Sequence, residues 1–366
     1  MVDLQRDWNF GFVLPNLSFP EVIGNDYVLI APLHDNRVQL LAKKNASLQR
    51  LLNGFTDQFN RSVSPNVLIY NSLSDTNIND ALIDFRNIFA IPCIIRAWQD
   101  FLIQKQWFTH TPYSEYFDVY PIYPSKDLNS LLILSPAVRG IDLANEFGGQ
   151  TTPALAGPTY DVKYDSDIFE ILQKAWEDRY ISCRFSELKT TALFRSLRVA
   201  YQACSIPLAN YPSIYDIGSS LALWVSAFEI IAHPPNTNVE EEKVLNFISE
   251  FPVKISSLLA KRYTIEVKRT KRRCNLPEKL YHQIYDARNN FLHGNIVTTK
   301  HLHPWFKTSR HALSSFAPLL YKLILTTYLN IYTKNIALHD LPYENYFSVR
   351  SLEEALLKST KDAEPI

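Results

Sequence analysis

Between Ile217 and Ala232 the residues Ile217, Leu221, Trp224, Val225, Phe228, Ile231 and Ala232 recur at intervals of three and four, until His233-Pro234-Pro235 ends the pattern. That period is the helical one, so the stretch predicts an amphipathic helix with a wide buried face. A residue before proline is pushed out of helical geometry, which makes the stop firm. So apolar a helix needs partners, and its neighbours in sequence supply them. Leu193, Leu197, Ala200 and Tyr201 mark one face of a helix that starts at Ser186-Glu187 and ends before Pro207. A third helix begins near Asn238, a candidate N-cap. Glu240, Glu241 and Glu242 oppose the positive end of its dipole, and its face includes Val244, Phe247 and Ile248. Pro277, at a first-turn position, opens a fourth through Leu280, Ile284, Tyr285 and Phe291 to Gly294, the residue type expected just past a helix end. The fifth runs from about Arg310 to Lys334, with Leu313, Phe316, Leu320, Leu323, Ile324, Thr327 and Ile331 inward; Pro318 either kinks it or marks its start. No strand signal separates the five, which predicts an all-α bundle.

The first 180 residues read differently. They are rich in Pro, Asn, Ser and Tyr, with short apolar runs at Tyr27-Val28-Leu29-Ile30, Val67-Leu68-Ile69-Tyr70 and Leu131-Leu132-Ile133-Leu134 bounded by turn formers. Such runs are strand-like. Helix-like stretches lie near 38–59 and 78–106, and Gly, Pro and Thr concentrate at 147–158, the expected junction. The expected fold class is α+β overall: a mixed α/β region over 1–180, a helical bundle over 181–340 and a tail over 341–366.

A chain of 366 residues suits two domains, and 46% hydrophobic with 20% charged residues is an ordinary globular composition, not that of a disordered chain. Formal net charge is zero, so any affinity for nucleic acid or anionic membrane must come from a local patch. Cys93, Cys183, Cys204 and Cys274 are far apart, which points to neither a zinc cluster nor a disulfide framework and fits a reducing cytoplasm. The N-terminus lacks a basic start and apolar run, and no stretch reads as the roughly 18 apolar residues of a membrane span, so no membrane partner is expected. Gly148-Gly149 lacks the remainder of a phosphate loop, and Ser219-Ser220 lacks nucleophile-elbow glycines. His301, His303 and His311 have no carboxylate or thiolate nearby in sequence and make a poor metal site. Neither a metal nor a cofactor is expected.

What remains for chemistry is the helix end Arg288-Asn289-Asn290-Phe291-Leu292-His293. An Arg and a His there can simply cap carbonyls and complement the helix dipole. Glu229, among apolar residues of its helix, reads as a partly buried ion-pair partner, with Arg288 the expected cation. The one dense basic run, Lys261-Arg262 then Lys268-Arg269-Thr270-Lys271-Arg272-Arg273, precedes the motif helix. It reads either as a phosphate-holding surface or as solvated charge.

Taken together, the helix with Leu193, Tyr201 and Ser205-Ile206-Pro207, the LALWVSAFEIIAHP helix and the YDARNNFLHGN helix end resemble the HEPN superfamily and its ApeA-like branch, over about residues 186–334. The resemblance implies a helical bundle that homodimerises, bringing two R-x4-6-H motifs into one cleft that cuts RNA without metal. It also implies a role as a toxin or bacterial anti-phage defence effector, with tRNA or mRNA among the candidate substrates. The N-terminal region would then sense a trigger, restrain activity or present RNA.

The residue types suit that chemistry. Attack by the RNA's own 2′-hydroxyl needs one proton removed and another delivered to the leaving 5′-oxygen, and imidazole titrates near neutral pH. His293 is the candidate. A guanidinium offers a fixed fork of donors to the charged phosphoryl group, which suits Arg288. At about 100° per residue, Arg288 and His293 lie about 140° apart on a helix, whereas Asp286 and Asn289 lie about 20° and 40° from His293. Either the Arg side chain wraps around a frayed end, or the pair meets its counterparts across a dimer axis. Asn289 would then orient the imidazole or bind phosphate, and Asp286 would support it. The competing expectation is a non-catalytic module that binds RNA or protein, since fold does not fix function.

Overall fold

The computed structural model describes residues 7–57, 59–71, 73, 78–104, 114–120, 122–124, 131–134, 139–142, 150–151, 162–182, 188–206, 213–233, 240–251, 262–304, 311–329 and 356. The chain is α+β and divides into two compact units, one of residues 1–86, 114–162 and 176–182, the other of 87–113, 163–175 and 183–366. Most of the expected junction at 147–158, and the tail beyond residue 340 apart from Leu356, lie outside the described residues.

In chain order, the first elements are β1 (Asn9–Leu14), β2 (Ile23–Gly24), β3 (Val28–Pro32), α1 (Asn36–Lys44), α2 (Ala46–Asn53), β4 (Phe55–Thr56) and β5 (Asn66–Tyr70). A four-stranded antiparallel sheet of order β1-β5-β3-β2 uses two of the three strand-like runs read from the sequence, and the third, Leu131–Leu134, lies in a separate sheet. Val13, Leu29, Ala31, Val67 and Ile69 pack with Val38 and Leu41 of α1 and Leu48, Leu51 and Leu52 of α2. The single helix expected near 38–59 is two helices, because Asn45 adopts an extended backbone and its carboxamide accepts the Leu48 N–H. One residue thus ends α1 and caps α2. Then follow α3 (Ile78–Gln104), β6 (Ile122–Pro124), β7 (Leu131–Leu134), β8 (Arg139–Asp142), β9 (Gln150–Thr151) and α4 (Ser166–Tyr180). Strands β6-β7-β8 form an antiparallel sheet, and β9 pairs with β4 in parallel.

The second unit holds α5 (Leu188–Ser205), α6 (Ile214–Ala232), α7 (Glu241–Glu250), β10 (Tyr263–Val267), β11 (Thr270–Cys274), α8 (Leu276–Leu292) and α9 (Ala317–Tyr328). Helix α6 is the periodic stretch, opened by a reciprocal Ser213–Asp216 cap. By length and apolarity it would also suffice to cross a membrane, but Leu221, Trp224, Val225, Phe228 and Ile231 are buried within this unit, as in a core helix. At the centre, the Ser196 hydroxyl of α5 donates to the Ala227 carbonyl of α6 at 2.7 Å and accepts from the Tyr321 hydroxyl of α9 at 2.7 Å. Lys322, 1% exposed, is neutralised by Asp165 and donates to Gln99. Burying both ions is tolerable only because they are paired and hydrogen-bonded.

Three expectations change here. Helix α7 starts at Glu241 with Glu240 as its N-cap, and Asn238 lies outside the described residues. Helix α9 is shorter than 310–334: Pro318 stands in its first turn after a 3-10 turn at Leu313–Ser315, so the proline marks the start, while Ile331 and Lys334 lie outside the described residues. The bundle is not all-helical, since the basic run forms the antiparallel hairpin β10–β11. The reason is a period of two. Tyr263 and Ile265 are buried and Thr264 and Glu266 exposed, the alternation of a half-buried strand.

Candidate active site on the motif helix

Helix α8 is defined at both ends. Asn275 accepts the Glu278 N–H while the Glu278 carboxylate accepts the Asn275 N–H, with Pro277 in the first turn. At the other end His293 is the C-cap, its N–H bonded to the Asn289 carbonyl at 3.0 Å, and Gly294 follows at φ +70°. That left-handed conformation is what glycine accepts and other residues resist.

Helices α6 and α8 run antiparallel. The rings of Phe228 and Tyr281 meet at 5.4 Å, and a Cβ added at Gly218 would lie 2.4 Å from the Phe291 ring. Gly218 therefore lets the end of α8 rest on the start of α6. Helical side chains lean toward their own N-terminus. In an antiparallel pair, Glu229 of α6 and Arg288 of α8 consequently lean toward one another, and their charged ends stand 3.9 Å apart. The expected ion pair is present.

Arg288 has further partners. It donates to Asn289 Oδ1 at 2.8 Å, and its guanidinium lies 5.9 Å from the Tyr285 ring centroid, within cation–π range. Its side chain is 22% exposed, and its Nε and the Tyr281 hydroxyl are buried without a hydrogen-bond partner. Burial raises the Glu229 carboxyl above its ordinary value, opposed chiefly by the positive charge of Arg288. At 3.9 Å the Glu229 carboxylate lies at the long end of ion-pair contact, and the Arg288 side chain keeps a partly exposed edge.

His293 stands apart. It is exposed, and among the described residues its imidazole makes no hydrogen bond or ion pair. Asn289 serves Arg288 with its side chain and His293 only with its backbone carbonyl, so it does not orient the ring. Asp286, close to His293 in helical projection, turns back to His282 instead, with Oδ2 3.3 Å from Nε2. Nδ1 of His282 meets Glu241 at 2.6 Å. Burial raises the Asp286 carboxyl, with His282 opposing and Glu241 adding to the rise. The Glu241–His282–Asp286 chain was not read from the sequence, because Glu241 and His282 are 41 residues apart.

The hairpin folds back along α8. Lys279 donates to the Thr264 carbonyl near the base, while Lys268 at the tip bonds Glu240 at 2.9 Å and lies close enough to Tyr285 for its charge to act on it. The pair with Glu240 raises the Lys268 ammonium above its ordinary value. Arg272 points inward, binding Glu278 at 2.7 Å and Asn246 at 3.1 Å. Lys271 and Arg273 lie on the outward face with Arg262, and Arg269 is at the exposed tip. The five candidates thus divide: Lys268 and Arg272 are paired, while Arg269, Lys271 and Arg273 face solvent. Lys268 and Arg269 hold φ of 49° and 66° in the two-residue turn. Asn-Gly is the usual solution to that geometry.

Among the described residues no group of three or more His, Cys, Asp or Glu side chains is placed to hold a metal ion. Compared with known proteins, the chain matches no family model, no curated protein and no solved structure.

Proposed function

We propose that the chain is a metal-independent endoribonuclease of the HEPN type, acting in bacterial defence or as a toxin-like effector. The observation that carries the reading is the pair of environments at the end of α8: an Arg288 fixed by Glu229, Asn289 and Tyr285 yet partly exposed, and an exposed, uncommitted His293. His293 of one chain takes the proton from a 2′-hydroxyl, whose oxygen attacks the adjacent phosphorus. His293 of a second chain protonates the departing 5′-oxygen, leaving a 2′,3′-cyclic phosphate and a free 5′-hydroxyl. Arg288 stabilises charge on the phosphoryl oxygens.

Two observations support the partners named in this reading. Tyr215, Leu292 and Ile296 are 75%, 52% and 88% exposed around the His293 end, an apolar surface suited to a second copy of the chain. The outward hairpin cations suit RNA phosphates. The left-handed Lys268-Arg269 turn keeps two cations where Asn-Gly would cost less, the kind of local outlier that accompanies function.

The test is incubation of the purified full chain with total RNA in the presence of a chelator, beside His293→Ala and Arg288→Ala. The expected result is cleavage leaving cyclic phosphate ends, lost in both variants. Undiminished cleavage in both would remove the site assignment. One observation favours the competing reading of a non-catalytic RNA- or protein-binding module: within one chain no bond joins the imidazole to Arg288. RNA binding without cleavage, in the dimer and under every trigger tried, would establish it.

A further inference from the structure

A cavity of about 800 Å³ opens at the other end of α6 from Gly218, within the second unit. Its size lies in the range of small-molecule sites. Ala192 of α5, Ile230 and Ile231 of α6, and Phe247 of α7 give it apolar walls, and Tyr328 of α9 adds an aromatic one. The Phe247 and Tyr328 rings are 6.5 Å apart and tilted by 37°, leaving an aromatic corner for a flat guest.

The charged groups are distributed unevenly around it. Among the described lining residues, Lys189 and Arg195 both come from α5 and His233 stands at the end of α6, against a single carboxylate, that of Glu250 at the end of α7. Lys189 is held in place: its ammonium lies 5.1 Å from the Tyr328 ring centroid, and the Tyr328 hydroxyl donates to the Lys189 carbonyl at 2.6 Å. Arg195 is exposed and forms no described hydrogen bond, ion pair or ring contact, so its fork of donors is available. The carbonyl ends of α6, α7 and α9 also meet this cavity and favour positive charge, but only as partial charges confined to their last turns. The α5 wall, with two full charges, decides where an anion would sit.

We propose that this cavity is a binding site for a small aromatic anion, its ring in the Phe247–Tyr328 corner and its carboxylate, sulfonate or phosphate against Arg195 and Lys189. The assignment stands independently of the ribonuclease reading. It has a structural consequence for it, since Ile230 to His233 continue directly from Glu229. An occupant fixes the turn of α6 from which Glu229 reaches Arg288.

The test uses two fluorescent probes of similar shape, anionic 8-anilinonaphthalene-1-sulfonate and neutral N-phenyl-1-naphthylamine, titrated against the full chain. Wild type should bind the anion more tightly. Arg195→Glu should weaken the anion about tenfold or more and leave the neutral probe nearly unchanged, because only the charge pairing is reversed. Ala192→Trp, which fills the cavity, should weaken both. Equal binding of the two probes by wild type, or unchanged anion binding in Arg195→Glu, would overturn the proposal. Arg195 is a surface side chain, so that variant is decisive even where Ala192→Trp fails to fold by circular dichroism.

Discussion

Arg288 and His293 belong to one short motif, yet they sit in opposite environments. Arg288 is enclosed by Glu229, Asn289 and Tyr285, while His293 projects into solvent beyond the last turn. The difference teaches which of the two side chains the fold itself positions. The arginine is held by packing between α6 and α8, whereas no described residue of the chain holds the histidine ring.

The largest expected effect breaks the two residues' common role. Replacing either by alanine should lower RNA cleavage by about a hundredfold or more, since each supplies a group used in the transition state. Their effects on stability should diverge. Arg288→Ala leaves Glu229 half-buried without its cation and should cost about 1–3 kcal/mol. His293→Ala changes an exposed side chain and should cost less than about 0.5 kcal/mol in the same urea titrations. Equal losses of stability would mean that the two environments do not differ in this way.

Gly218→Ala sharpens the comparison from the other helix. A methyl group 2.4 Å from the Phe291 ring must push the end of α8 away, at about 1–3 kcal/mol by urea unfolding. A neutral result would show that the end of α8 is not seated on α6.

The hairpin offers the same contrast between enclosed and exposed cations. Lys271→Glu and Arg273→Glu should each reduce the salt slope of RNA binding by about one with little change in stability. Arg272→Ala should instead cost about 1 kcal/mol of stability, because it loses Glu278 and Asn246. An unchanged salt slope in the outward variants would remove the hairpin from the RNA surface.

The smallest effect is on pH dependence. The Glu229 carboxyl is raised in the folded chain, so folding retains a proton there that the unfolded chain has already released. The associated stability is fully present below the ordinary carboxylate range and is lost as pH rises through the raised value. Glu229→Gln should flatten that decline, leaving the part contributed by Asp286, which is raised in the same sense. Identical slopes in urea titrations across this range would contradict the burial assigned to Glu229.

Much of this was legible in the amino-acid order, for physical reasons. The three- and four-residue period located α5 and α6, and Pro277 with Gly294 bracketed α8 closely. The Glu229–Arg288 pair could be anticipated because a carboxylate on an apolar face demands a cation. The hairpin was missed because its turn is Lys268-Arg269 rather than Asn-Gly, although the alternation of Tyr263, Thr264, Ile265 and Glu266 was there to be read. Asn45 was likewise an unread double cap. His282 could not be placed, since its partnership with Glu241 depends on which faces of α7 and α8 meet, and periodicity within one helix says nothing about that.

The central claim is that His293 of one chain completes a site with Arg288 and His293 of another. Co-expressing differently tagged wild-type and His293→Ala chains, isolating the mixed dimer and assaying RNA cleavage in chelator tests it most directly. A site that uses both copies of His293 predicts that the mixed dimer, although it keeps one intact chain, cuts no better than the His293→Ala dimer. A mixed dimer that retains cleavage in proportion to its intact chain would contradict it.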